Sequence, residues 1–317
     1  MNWGMTIPFY DRSLAKSQDL IAELPGLGYT DLWSAEVNGV DGFVPLALAT
    51  QWAPQARLGS AIVPVSTRGP GLLAMSAATL ADLAPGRFVL GIGASSPAIV
   101  ERWNAGTFDK PYARTRDTLR FLKEALAGEK VSHAYETFEV KGFKLERAPK
   151  TPPKIVLAAL RPRMLRLAAA EADGAITNWL SPDDVRKVRG EIGPDTELIA
   201  RLFVCVDTDA ERVRETARWM LASYLTVPVY AAFHDWLGRG EVLRPMHEAW
   251  AAGDRRAALK AIPDEVVDAL VVHGDAATCR ARIKEYMANG LDTPVLAPIP
   301  GGDIPIDQAV RELAPER

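Results

Sequence analysis

Cysteine is almost absent. Cys205 and Cys279 are the only two in 317 residues, too few for a disulfide framework and suited to free thiols in a reducing compartment. No run of about 18 apolar residues occurs, so no segment is expected to span a membrane. The first stretch, MNWGMTIPFYDRSLAKS, has no basic leader followed by an apolar segment and cleavage site, and the expected address is the cytoplasm. Excess charge is lacking too: 37 Lys and Arg are mixed with 40 Asp and Glu, for a net charge of −3. Without a basic stripe, nucleic-acid binding is disfavoured. His133, His234, His247 and His273 are scattered, with no HExxH or close His/Cys pair to hold zinc. There is no GxSxG elbow and no P-loop. No internal repeat or Pro/Gly/Ser linker divides the chain, which predicts one domain over 1–317. A chain so thin in recognisable catalytic and metal-binding motifs suits a borrowed cofactor that does the difficult chemistry.

What is present is an ordinary globular composition, 48% hydrophobic and 24% charged, arranged as short apolar runs alternating with amphipathic segments. WGMTIPF, YTDLWSAE, ARLGSAIVPV, RFVLGIGA, PKIVLAAL, DGAITNWL, ELIARLFVCVD and LDTPVLAPI read as eight strands. They are apolar nearly throughout, as in parallel sheets covered on both faces. Helical patterns such as SLAKSQDLIAELPGLG, GPGLLAMSAATLADLAPG and AERVRETARWMLASYL separate most of them. A right-handed βα series of this length closes as an α/β (β/α)8 TIM barrel; an open doubly wound sheet is the competitor. ETFEVKGFKLE alternates at period two about Lys141-Gly142 and predicts an inserted hairpin. Residues 227–262 lack a strand pattern and read as a helical insertion, either a lid or a dimer contact.

Barrel active sites sit where strands end. Strand two ends at Ser34, Ala35, Glu36, Val37 and Asn38, where Glu36 is either a cofactor contact or a solvated cap. Pro64 midway along strand three removes a ladder donor, and either a bulge or irregular peptide bond lies there or the strand ends. Strand four runs into GIGASSP; its glycines and hydroxyls suit close backbone approach to a ligand or simply a tight turn. The sixth residue, Ser96, breaks the GxGxxG pattern. After strand five, Pro162 opens a helix flanked by Arg161 and Arg163, a plausible anion site of amides and guanidinium, although Arg163 is equally suited to a solvated helix face. Trp103 and Trp179 are either apolar walls of a site or core.

In that order the motifs resemble the luciferase-like flavin monooxygenase superfamily, and within it the coenzyme F420-dependent oxidoreductase branch. The resemblance spans essentially the whole chain through LWSAEVNGVDGFVPLALAT, RLGSAIVPVSTRGPGLLAMSAATLADLAPGRFVLGIGASSP, FDKPYARTRD, EADGAITNWLSP and VVHGDAATCRARIKEYMANGLDTPVL. It implies a bacterial luciferase-like TIM barrel with a deazaflavin ring in its mouth and a small-molecule substrate, assembled as a homodimer. Glu36 and Asn38 would position cofactor or substrate. A non-prolyl cis peptide behind the ring is implied at Ala61–Ile62, or else at Ile62–Val63. Gly93, Ala94, Ser95 and Ser96 would approach the cofactor tail, and Ala159, Leu160, Arg161, Pro162 and Met164 would form its phosphate turn. Three departures stand out. Val37 replaces a histidine found in some deazaflavin enzymes, Ser96 replaces the glutamate of sugar-phosphate dehydrogenases, and Arg161 stands where glycine is common. The expected activity is F420-dependent hydride transfer. The alternatives are an FMN-dependent monooxygenase and a barrel that binds the cofactor without turnover.

Overall fold

The computed structural model describes residues 2–300 and 302–316. Eight parallel strands close on themselves: β1 (Gly4–Thr6), β2 (Asp31–Ser34), β3 (Arg57–Ser60), β4 (Phe88–Gly93), β5 (Lys154–Ala158), β6 (Gly174–Asn178), β7 (Glu197–Val206) and β8 (Thr293–Pro298). β8 pairs with β1, and β6 with β7, so no edge is left open. The expected barrel is the observed one. Helices α1 (Gln18–Leu27), α2 (Val44–Trp52), α3 (Pro70–Leu83), α4 (Pro111–Leu126), α5 (Pro162–Glu171), α6 (Pro182–Ile192) and α7 (Ala210–Leu225) follow strands one to seven.

The barrel interior is filled by Trp33, Val89, Val156, Ile176, Ile199 and Val295. Trp33 takes the space that a side chain at Gly59 would need: a Cβ there would lie 2.2 Å from the indole. Below this layer, Arg57 bridges Asp31 and Glu197, with 2.7 and 3.0 Å bonds to the latter, and Thr293 joins them. Burial alone would raise the Glu197 carboxyl, but Arg57 holds it below its ordinary value. Arg57 thus draws two carboxylates together at this end of the barrel.

α6 escaped the sequence reading, although its signal is strong: Ser181 and Asp184 form a reciprocal capping box ahead of Pro182. The expected hairpin exists, but its turn is misplaced. Val131–Ala134 pairs antiparallel with Glu139–Phe143, and the chain reverses between Tyr135 and Phe138. Lys141-Gly142 lies inside the second strand, where Gly142 (φ 69°) accommodates a register shift, so this glycine serves a bulge and not the turn.

Residues 227–262 fold into α8 (Pro228–Trp236), α9 (Gly240–Ala251) and α10 (Arg255–Lys260). They pack with α7, with α11 (Asp264–Leu270) and with the outer half of β7 around their own apolar cluster, including Leu221, Leu243, Met246 and Val267. A short strand not anticipated, Val271–Gly274, pairs with Phe203–Val206 of β7. α12 (Ala276–Ala288) leads back to β8, and α13 (Ile306–Glu312) follows it. Among the described residues no helix is long and apolar enough to cross a membrane.

Candidate active site

β3 loses its pairing after Ser60 and resumes at Val63–Pro64, against Ile92 and Gly93. Between them the Ala61–Ile62 peptide is cis, at the first of the two expected positions. Neighbouring strands are cut to fit this break. A Cβ on Gly91 would sit 1.9 Å from the Ser60 carbonyl oxygen, and one on Gly93 would sit 2.7 Å from Ala158 and 3.1 Å from Ile62. The Ser60 hydroxyl donates to the Gly91 carbonyl and accepts from the Gly91 amide, both at 2.9 Å. The glycines of GIGASS are therefore required by packing around the irregular strand.

Glu36 lies beside this break, its amide donating to the Ile62 carbonyl at 3.3 Å. Arg68 grips its carboxylate with bonds of 2.5 and 2.7 Å, and the Gly42 amide donates to it at 2.8 Å. The carboxylate thus ties the end of β2 to the loops before α2 and α3. Asn38 stands exposed on the first of these loops, and the structure does not bring it to the other candidates. Beyond β4, Ser95 adopts a left-handed conformation (φ 67°), and the Ser96 hydroxyl accepts from the Ile99 amide at 3.4 Å, opening a π-helical turn over Ala98–Trp103. Such turns are frequent at functional sites. Trp103 is exposed at the end of that turn.

Ala159 is buried at the end of β5, with Leu160 and Met164 packed against the core. The Arg161 carbonyl accepts from the Met164 and Leu165 amides, while its guanidinium is exposed and uncommitted. Arg163 behaves differently from a phosphate ligand: it lies 3.8 Å over the Tyr112 ring on the helical surface.

The opposite half of the mouth was not foreseen. Ile176 and Ile199 are cross-strand partners inside the barrel, so Asn178 and Arg201, partners two residues further along, also point inward. Val295 is inward and pairs with Gly4, which places Thr6 inward as well. Arg201 is 6% exposed, and a terminal nitrogen donates to the Tyr10 hydroxyl. Its guanidinium lies 5.0 Å over Phe203, which stacks on Trp179 at 4.0 Å, and Tyr224 closes on Trp179 at 5.1 Å. From α8 the Tyr230 hydroxyl donates to Asn178 Oδ1 at 3.0 Å. Burial pushes the Tyr224 and Tyr230 phenols upward, so both remain protonated donors. Trp179 is fully buried yet left-handed (φ 53°), a conformation that a bulky residue keeps only where its surroundings impose it.

Three buried polar atoms here, Thr6 Oγ1, Trp179 Nε1 and Arg201 Nε, have no partner among the described residues. Among the described residues no three His, Cys, Asp or Glu side chains are placed to hold a metal ion. One signal for this half was present in the sequence: Arg201 is the lone charge within the apolar run LIARLFVCV.

The sequence profile of the luciferase-like monooxygenase family matches residues 5–293. A candidate coenzyme F420-dependent oxidoreductase of Mycobacterium tuberculosis is 28% identical over 309 residues, covering 88% of this chain and 89% of that protein. The 5,10-methylenetetrahydromethanopterin reductase of Archaeoglobus fulgidus is 27% identical, covering 89% and 88%. The coenzyme F420-dependent tetrahydromethanopterin reductase of Methanopyrus kandleri superposes with a TM-score of 0.80 at 20% identity, covering 99% and 97%.

Proposed function

Since the chain belongs to the luciferase-like monooxygenase family, we propose that it is an oxidoreductase using coenzyme F420 to move a hydride to or from a small organic substrate. The observation that carries this reading is the barrel mouth: an irregular backbone platform on one side, and three uncommitted buried polar atoms on the other. Buried polar atoms normally find partners, so this cluster fits a polar guest large enough to reach across the opening. The likeness to the Mycobacterium protein over most of both chains supports the choice of F420.

When bound, coenzyme F420 supplies a two-electron carrier whose C5 gives or takes the hydride. The chain's own residues bind and orient. Ala61 and Ile62 back the ring. Glu36 acts as a positioning residue, since Arg68 and Gly42 occupy its carboxylate. Gly93, Ala94, Ser95 and Ser96 follow the tail. The turn of Ala159, Leu160, Arg161 and Met164 receives the phosphate, with the Arg161 guanidinium and the first amides of α5 as its donors. Asn38 borders the entrance, and α8 to α10 roof the substrate side and exclude water. The protein acts in the cytoplasm, where Cys205 and Cys279, both buried free thiols, stay reduced.

Titration of the protein with F420 and with FMN, followed by visible spectroscopy with and without oxygen, tests the reading. Saturable F420 binding with no oxygen consumption is expected. Tight FMN binding with oxygen consumption, and none with F420, would replace it with a flavin monooxygenase. The same preparation, sedimented, tests a homodimer that covers the exposed Val44, Leu72 and Met75 on adjoining α2 and α3.

A further inference from the structure

Three buried or half-buried arginines elsewhere in this barrel face carboxylates: Arg57 faces Asp31 and Glu197, Arg68 faces Glu36, and Arg239 faces Asp184. Arg201 does not. Its one hydrogen bond among the described residues is to a neutral phenol, its Nε is buried without an acceptor, and aromatic rings lie beneath it. A guanidinium cannot shed its proton to escape burial, and a charge taken out of water without a counter-charge is strongly disfavoured. Something anionic is needed to complete this position.

Strand order says which ligand can supply it. β7 lies four strands from β3 in either direction round the ring of eight, so Arg201 faces the Ala61–Ile62 peptide across the mouth. The inference rests on the placement proposed above, in which the cofactor ring backs onto that peptide and its tail leaves past β4 and β5. The half belonging to β6, β7, β8 and β1 is then left for the substrate.

We infer that the substrate is an organic acid, its carboxylate held by Arg201. The Nε edge of a guanidinium suits two parallel bonds to a carboxylate. Asn178 adds a donor beside it: with Oδ1 taken by Tyr230, its Nδ2 hydrogens remain available. Tyr10, 63% exposed at the rim, holds the guanidinium from the solvent side without neutralising it. Discrimination against neutral analogues follows directly, because an uncharged ligand leaves the buried charge unanswered.

The test uses the full-length protein without cofactor and four probes titrated by calorimetry: benzoate, hexanoate and their neutral amides, benzamide and hexanamide. The acids are expected to bind and the amides not. Arg201→Met is expected to weaken the acids by about ten- to a hundredfold, the range for a lost charged hydrogen bond. Arg201→Lys should restore part of that loss. In parallel, F420 titration of the same variants should give parent-like affinity. Arg201→Met should also melt at or above the parent's temperature, since it removes an unpaired buried charge. The inference is overturned if acids and amides bind alike, if neither binds, or if Arg201→Met keeps acid affinity. It is also overturned if F420 affinity falls together with acid affinity, which assigns the charge to the cofactor, or if the variant melts well below the parent. Failure of the parent to bind F420, with Arg201-dependent acid binding intact, would count against the cofactor reading alone.

Discussion

At the scale of single residues, the two charged groups that frame the mouth are held in opposite ways. Glu36 is satisfied twice over, by Arg68 and by the Gly42 amide. Removing it leaves Arg68 partly buried without a counter-charge and frees the loop that meets the cis peptide. Glu36→Ala is therefore expected to lower the melting temperature and to weaken F420 binding. A double-mutant cycle with Arg68→Met should give a coupling of about 1–3 kcal/mol, as for contacting residues in one network. Single and double losses that simply add would show that the ion pair positions nothing. Sequence reasoning placed Glu36 at the mouth because it ends an apolar strand, but it missed Arg68, which sits in the loop after β3. Arg201 was visible as a lone charge in an apolar strand. Its meaning depended on knowing that Ile199 faces inward, which only the register with β6 supplies.

At the scale of elements, the eight strands were legible because both of their faces are covered, so each is an unbroken apolar run bounded by polar turns. Short elements that draw on tertiary contacts were not. α11, the strand at 271–274 and α13 owe their existence to neighbours as much as to their own pattern. α8 shows what such packing imposes. His234 is fully buried, and neither ring nitrogen has a partner among the described residues. Burial first, then the nearby Arg239 and His247, push it down from 6.5 to about 3. Burial lowers His247 in the same direction. The unfolded chain thus takes up protons between pH 6.5 and about 3 that the folded chain refuses. Stability is whole above pH 6.5 and falls as the pH drops through that window, by at most about 1.4 kcal/mol per pH unit for each such histidine. Urea unfolding of His234→Leu from pH 7 to pH 5 should show a flatter pH dependence than the parent. An unchanged slope would mean that His234 meets water or a partner in solution. Arg239 of this segment bonds Asp184 at 2.7 Å and Lys187 reaches the Trp236 carbonyl, so the segment is tied to α6.

At the scale of the whole molecule, charge is distributed unequally between the two ends of the barrel. At the amino-terminal end of the strands, one guanidinium, Arg57, joins Asp31, Glu197 and Thr293 in a single network. At the carboxyl-terminal end, Arg201 Nε, Thr6 Oγ1 and Trp179 Nε1 have no partner among the described residues. On the reading proposed above, one end stabilises and the other receives a ligand, the division usual in barrels of this kind. Two substitutions of the same type should therefore have opposite signs. Arg57→Met leaves the buried Asp31 and the half-buried Glu197 without their guanidinium and is expected to cost about 3–5 kcal/mol, the range for breaking a buried pair, while F420 affinity in the surviving folded fraction stays near the parent's. Arg201→Met, in contrast, should leave stability unchanged or raised. Chemical denaturation of the two variants side by side reads this directly. If Arg57→Met proved neutral, the lower network would be a solvated surface cluster, and the claim that one end of the barrel is built for stability would fail with it.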